Sequence, residues 1–328
     1  MAEVLVLGAG NGGFAMAADL AVRGHKTTLF NRTETTLSAA KEQGGIHHSG
    51  VLGEGFAPVD HIVTDLKGVV AKADLIVACV PATAHRSLAQ TLAPHLQEGQ
   101  RLLLNPGGML GSLAFLLELR AAGHSGNIAI AETGTLTYIC RKSNPGSVFI
   151  TNVLKSVPCA AFPASSTKGF LADVDGIVPN LMEVSHILAA GFANVNAVLH
   201  PPAMVLGAAW IEHTQGDFLY YLDAATPAVA HLLEALDTER RAVAAGWDVD
   251  VSSFPRLFAS IGSTSEAAGE KEDYLLTLLD SVPNHHIKAP PSLDHRYMHE
   301  DIPYGLVPMI DLGRAVGVPT PTMSAVVQ

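Results

Sequence analysis

The residues best suited to chemistry lie in the C-terminal half of the chain, among largely apolar neighbours. His200 closes the run Asn194-Val195-Asn196-Ala197-Val198-Leu199-His200 and is followed by Pro201-Pro202. Asn196 and His200 are four apart and so share a helix face, while proline at 201 removes an N–H and disfavours helical geometry at His200. A polar pair at a helix break is therefore expected. A histidine titrates near neutrality and can give and take protons; the alternative is a histidine satisfied by backbone groups freed at the kink. Downstream, a charged stretch bounded by Pro290-Pro291 and Pro303 carries Arg296 and Asp301. Arg296 offers a bidentate fork for a carboxylate, and Asp301 could orient a histidine from elsewhere, although singly such residues are more often surface charges.

A second centre lies at the N-terminus. Glu3 to Leu7 reads as an apolar strand, Gly8-Ala9-Gly10-Asn11-Gly12-Gly13 as a G-x-G-x-x-G turn, and Phe14 to Val22 as an alanine-rich helix. That order turns backbone N–H groups and a positive helix end toward one spot, which suits a pyrophosphate. Gly8 permits the tight turn, Gly10 the approach of phosphate, and Gly13 the close packing of helix on strand. The next strand, Lys26 to Phe30, ends at Asn31-Arg32-Thr33, where NAD-binding folds usually place an acidic residue for the ribose hydroxyls. Asn31 would not repel a 2′-phosphate and Arg32 could pair with it, so NADP(H) is expected, with NAD as the alternative. Otherwise Thr33 is a helix cap before Glu34 and Arg32 is merely solvated.

These groups need a scaffold. Asp74 to Pro81 is a continuous apolar run stopped by proline, as expected of a parallel strand buried on both faces; Arg101 to Leu104 and Ile128 to Ala131 are two more. Their ends at Val80-Pro81, Asn105 and Glu132 line one sheet edge, where doubly wound folds bind ligand. Residues 44 to 60, rich in Gly and His, read as short strands or loop, and Phe149 to Ala161 as further strand. Beyond about residue 180 the periods become helical, over Leu181 to Leu199, Ala203 to Ile211, Pro227 to Ala245, Asp273 to Leu279 and Gly305 to Val316. The expected fold class is α/β, with an N-terminal Rossmann doubly wound sheet over 1–180 and a C-terminal all-α domain over 181–328.

Composition excludes several classes. The 328 residues are 48% hydrophobic, enough for a sizeable core, and a net charge of −11 without a long Lys/Arg run argues against a nucleic-acid surface. Any anionic ligand must then be met by a few placed cations. Apolar runs are broken before the roughly 18 to 20 residues of a membrane span, and Met1-Ala2-Glu3 leads into a strand rather than a basic signal peptide, so a cytoplasmic protein without a membrane partner is expected. Cys79, Cys140 and Cys159 are too scattered for a disulfide framework or a C-x-x-C site. His47-His48 and His285-His286 have no clear third ligand, and no metal is expected. The apolar helical domain suggests a homodimer, and the partners are expected to be small molecules.

Together, the glycine turn, Asn194 to Pro201, Arg296-Tyr297 with Asp301 five beyond the arginine, and Gly305-Leu306-Val307-Pro308 resemble the opine dehydrogenase family, the octopine and nopaline dehydrogenase group. The resemblance covers nearly the whole chain. It implies a Rossmann domain plus a helical domain of the 6-phosphogluconate dehydrogenase C-terminal type, and NAD(P)H-dependent reductive condensation of an amino acid with a 2-oxo acid such as pyruvate. It further implies that His200 and Asp301 are the acid/base pair, Arg296 the carboxylate binder and Asn196 a polar site residue. Arg141, in Thr137-Tyr138-Ile139-Cys140-Arg141, is a weaker second cation for a carboxylate. The Asn31-Arg32 end departs from an NAD-type acidic residue. Ketopantoate reductase and 3-hydroxyacid dehydrogenase relatives resemble the chain in the glycine turn and Asn31-Arg32-Thr33, but rely on a lysine in the helical domain, and none occurs between Val178 and Lys271. A non-catalytic NADP(H) sensor would not need His200, Arg296 and Asp301.

Overall fold

A computed structural model describes residues 1–328, which divide into two compact units, Met1–Ala190 and Gly191–Gln328. The first holds twelve strands in chain order: β1 (Glu3–Leu7), β2 (Lys26–Phe30), β3 (Gly45–Gly50), β4 (Gly55–Pro58), β5 (His61–Val63), β6 (Leu75–Ala78), β7 (Arg101–Leu104), β8 (Ala129–Thr133), β9 (Tyr138–Lys142), β10 (Ser147–Val153), β11 (Val157–Phe162) and β12 (Leu181–Glu183). The main sheet runs β12-β11-β8-β7-β6-β1-β2-β5. It is parallel from β8 to β5, and β11 joins β8 antiparallel.

The central strands read as unbroken apolar runs because both of their faces are covered. Val4 and Val6 pack with the glycine-turn helix, while Leu5 and Leu7 pack with the helices His85–Leu92 and Gly111–Ala121 on the other side. The glycine-turn helix, Asn11–Val22, is itself buried nearly all round, from Gly12 to Leu20. A second sheet, β4-β3-β10-β9, covers its other side through Ile46, Ala57, Cys140, Val148 and Ile150. That double burial explains a helix apolar on every face.

Phe149 to Ala161 is strand as expected, but divided: the chain turns after Val153, so β10 joins the small sheet and β11 the large one. Leu181 to Leu199 is not one helix. Leu181–Glu183 pairs with Val157–Cys159 as β12, and helices follow at Ile187–Phe192 and Asn196–Leu206. Strand pairing from a distant segment outweighs local helical preference.

The second unit is helical around Pro227–Gly246, which opens with Pro227 after Thr226, whose side chain accepts from the Val229 N–H. Inside it the fully buried Asp237 and Arg240 pair at 2.7 Å. Arg240 also donates to the Phe192 and Ser252 carbonyls, and Asp237 accepts from the Phe254 N–H and the Tyr274 hydroxyl. Every charge in this core therefore has a partner, as burial demands.

Candidate active site

The helix Asn196–Leu206 carries His200 inward, and it does not break there: it runs through Pro201 and Pro202. Because the helix starts at Asn196, the prolines fall in its second turn, and they remove only the N–H groups that would have reached the carbonyls of Ala197 and Val198. Val198, Leu199, His200, Pro201, Pro202 and Ala203 are all buried, so packing holds the helix that local preference would interrupt. Asn194 Oδ1 accepts from the Asn196 N–H at 3.1 Å and starts the helix, which leaves Asn196 one turn before His200.

From the other side comes a short helix, Arg296–His299, followed by a π-helical turn, Ile302–Leu306. In that turn the Leu306 N–H donates to the Asp301 carbonyl, the wide i to i+5 spacing that recurs at functional sites. Gly305 permits the approach, since a Cβ there would lie 2.5 Å from Ala197 Cβ. The result brings together residues a hundred positions apart. His200 Nδ1–H donates to Asp301 Oδ2 at 2.6 Å, with both side chains buried.

Three tyrosines surround the imidazole. The Tyr221 hydroxyl lies 2.7 Å from His200 Nε2, and 3.2 Å from the Tyr297 hydroxyl. The Tyr297 ring stacks on the imidazole, with centroids 3.7 Å apart and planes at 19°. Tyr220 donates to the His200 carbonyl at 2.6 Å. His200 is thus satisfied by side chains, not by backbone groups freed at a kink. Sequence reading missed Tyr220 and Tyr221 and gave Tyr297 no role; a Tyr-Tyr pair in an apolar segment looks like any core aromatic.

Arg296 neighbours Tyr297 on its short helix, exposed, with its Nε 3.6 Å from Glu300 Oε2. Arg296 is the exposed partner and Glu300 the half-buried one, and a contact of that length leaves the fork accessible. Arg141 lies in the other unit, exposed on β9, donating to the Cys140 carbonyl.

The glycine turn has the form the sequence requires. Gly8 adopts φ +100°, a Cβ on Gly13 would strike the Gly8 carbonyl oxygen, and Gly10 faces open space. No side chain caps the helix at Gly10, so the N–H groups of its first turn are left without a capping side chain. Asn31 Oδ1 accepts from the Ala9 N–H at 3.3 Å and so braces the turn, while Arg32 and Thr33 are exposed. Thr33 takes the cap position before Glu34 without a side-chain bond. Lys142, absent from the sequence-level candidates, is the cation over this turn. Strand alternation places it, unlike Arg141, on the inner face of β9, with Nζ 3.4 Å from the Ala9 carbonyl and 4.1 Å from the Phe14 ring centre. Burial lowers its pKa. These features fit a dinucleotide's phosphates.

The remaining strand ends differ in character. Val80 packs against Gly8, and Pro81 is exposed. Asn105 is fully buried and engaged, donating to Thr137 Oγ1 at 2.7 Å and accepting from Thr133 and Thr137. Glu132 is also buried and accepts from the Ser112 N–H, and its other oxygen has no protein partner. Burial pushes its carboxyl up to about 7 against the helix N–H that pulls it down.

Residues 183–328 match the family described as the NAD/NADP octopine/nopaline dehydrogenase α-helical domain, and residues 3–117 match the NAD-dependent glycerol-3-phosphate dehydrogenase N-terminus. The chain is 35% identical over 322 residues to an opine dehydrogenase of Arthrobacter sp. (strain 1C), covering 98% of this chain and 88% of the relative. Among solved structures, octopine dehydrogenase with NADH and L-arginine superposes with a TM-score of 0.75 at 19% identity, over 100% of this chain and 88% of that one. A yersinopine dehydrogenase with NADP⁺ bound gives 0.73 at 18% identity, over 100% and 90%. The Rossmann sheet, the helical unit and the full-length identity agree: the chain belongs to the opine dehydrogenase family and is an NAD(P)-dependent oxidoreductase acting on CH–NH bonds.

Proposed function

We propose that the protein reductively condenses the amine of an amino acid with a 2-oxo acid such as pyruvate, using His200 as general acid/base and Asp301 as its orienting partner. The buried 2.6 Å contact between them carries this reading. An ionised carboxylate only accepts, so it fixes the imidazole proton on Nδ1 and favours the imidazolium, leaving Nε2 for proton traffic. Condensation needs protons at the carbonyl oxygen and at the carbinolamine hydroxyl, and one histidine can serve both. Arg296 takes a substrate carboxylate, Asn196 adds a polar contact one turn from His200, and Arg141 is the weaker carboxylate candidate. When bound, the reduced nicotinamide supplies the hydride.

For the cofactor, the turn Gly8, Gly10, Asn11, Gly12 and Gly13 receives the pyrophosphate with Lys142 as its cation. Asn31, Arg32 and Thr33 receive the adenosine end, and Val80, Pro81, Asn105 and Glu132 border the site. The exposed Arg32 and the absence of a carboxylate at residue 31 favour NADP(H) over NAD(H). The exposed Val205, Leu206 and Trp210 support a homodimer, which light scattering would check. Three free cysteines suit the cytoplasm, and no helix is long and apolar enough to cross a membrane. Localising a tagged chain would check the compartment.

The function is tested by following NADPH and NADH oxidation with pyruvate and each amino acid in turn, with mass spectrometry of the products. An N-(1-carboxyethyl)amino acid formed only with both substrates is expected. Cofactor oxidation by a 2-oxo acid alone, giving a hydroxy acid, would reject the condensation.

A further inference from the structure

We propose that Tyr221 carries the proton between His200 and the reacting oxygen of the substrate, so that Asp301, His200 and Tyr221 act as one chain; this rests on the acid/base assignment of His200 above. Each polar atom of the imidazole is already engaged: Nδ1 faces Asp301 at 2.6 Å and Nε2 faces the Tyr221 hydroxyl at 2.7 Å. The Tyr297 ring covers one face of the imidazole. Neutral His200 accepts from the Tyr221 O–H at Nε2, and the imidazolium donates from Nε2 into the Tyr221 oxygen. In both charge states the one proton-bearing direction of Nε2 points at Tyr221. A substrate oxygen therefore meets the histidine's proton through this phenol.

A phenol is suited to such a role because it has one donor and two acceptor sites, so it can receive a proton from His200 while giving its own onward. Tyr221 is itself buried, and its hydroxyl is steadied by the Tyr297 hydroxyl at 3.2 Å. In the collapse of a carbinolamine, the C–O bond breaks and its electron pair leaves with the oxygen. That oxygen takes the Tyr221 proton and departs as water, while the amine lone pair forms the C=N bond of an iminium ion. Tyr221 regains a proton from His200 Nε2–H, and His200 ends neutral with Nδ1–H still on Asp301. Hydration in the reverse reaction runs the same transfers backward.

Tyr221→Phe keeps the ring and removes only the hydroxyl, so it separates the relay from packing. A fall in kcat of about a hundredfold or more is expected, in the range for loss of an acid/base group, with NADPH affinity by fluorescence titration unchanged. Replacing Tyr221 by 3-fluorotyrosine and 3,5-difluorotyrosine makes the phenol stepwise more acidic at nearly constant shape, and the pH–kcat profile should shift in step. A purely structural hydroxyl would not produce that shift. If Tyr221→Phe keeps kcat within about threefold while His200→Ala is inactive, or if the fluorinated forms leave the profile in place, His200 reaches substrate directly and the relay is wrong while the dyad stands. Full activity of His200→Ala would overturn both.

Discussion

At the scale of single residues, three cations are proposed to meet anions in a chain whose net charge is −11, and each makes a distinct prediction. Arg32→Ala should weaken NADPH by about 1.5 to 3 kcal/mol and leave NADH nearly unaffected, because only the 2′-phosphate differs. Lys142→Ala should weaken both cofactors alike, since Lys142 lies over the glycine turn rather than beside Arg32. Titrations giving equal losses for Arg32→Ala, or a selective loss for Lys142→Ala, would reverse the assignment. Arg296→Lys keeps the charge but loses the planar fork, so it should raise the KM for the 2-oxo acid and spare cofactor affinity. Unchanged oxo-acid saturation would remove Arg296 from the carboxylate site.

At the scale of elements, the dyad depends on how closely the turn Ile302–Leu306 approaches the helix Asn196–Leu206. Gly305→Val would place side-chain atoms against Ala197 and displace Asp301 from His200, so kcat should fall at least tenfold with NADPH affinity retained. Activity within twofold of wild type would show that the approach is not what positions Asp301. Much of this scale was legible in the sequence. Glu3–Leu7, Leu75–Ala78 and Arg101–Leu104 stand out because double burial makes strands almost wholly apolar between Gly, Pro and polar stops. The split of Phe149 to Ala161 and the strand Leu181–Glu183 were not legible, since each is decided by pairing with a distant segment. His200 was visible as a polar residue out of place among apolar neighbours, and Arg296 and Asp301 as charges in a proline-bounded stretch ahead of an apolar helix. Tyr221 was not, because its meaning lies in a 2.7 Å contact that no spacing encodes. Lys142 was overlooked beside Arg141 because which face of β9 turns inward is set by the helix it covers.

At the scale of the whole molecule, Glu132, fully buried in β8, ties stability to pH. Its folded carboxyl stays protonated up to about 7, whereas in the unfolded chain it ionises near 4.5. The folded state therefore holds the extra proton between these values, and stability should fall as pH rises from about 4.5 to about 7, by roughly 3 kcal/mol at one pKa unit per 1.4 kcal/mol. Glu132→Gln should flatten that part of the Tm-against-pH curve. An unchanged slope in the variant would mean that Glu132 ionises normally in the folded chain.

Whether His200, held by Asp301, handles the protons of the proposed condensation is decided by the steady-state kinetics of His200→Ala. A kcat lowered by roughly a hundredfold to ten-thousandfold is expected, with NADPH bound as tightly as by the wild type, because the glycine turn lies in the other unit. A His200→Ala enzyme with wild-type kcat would contradict that role.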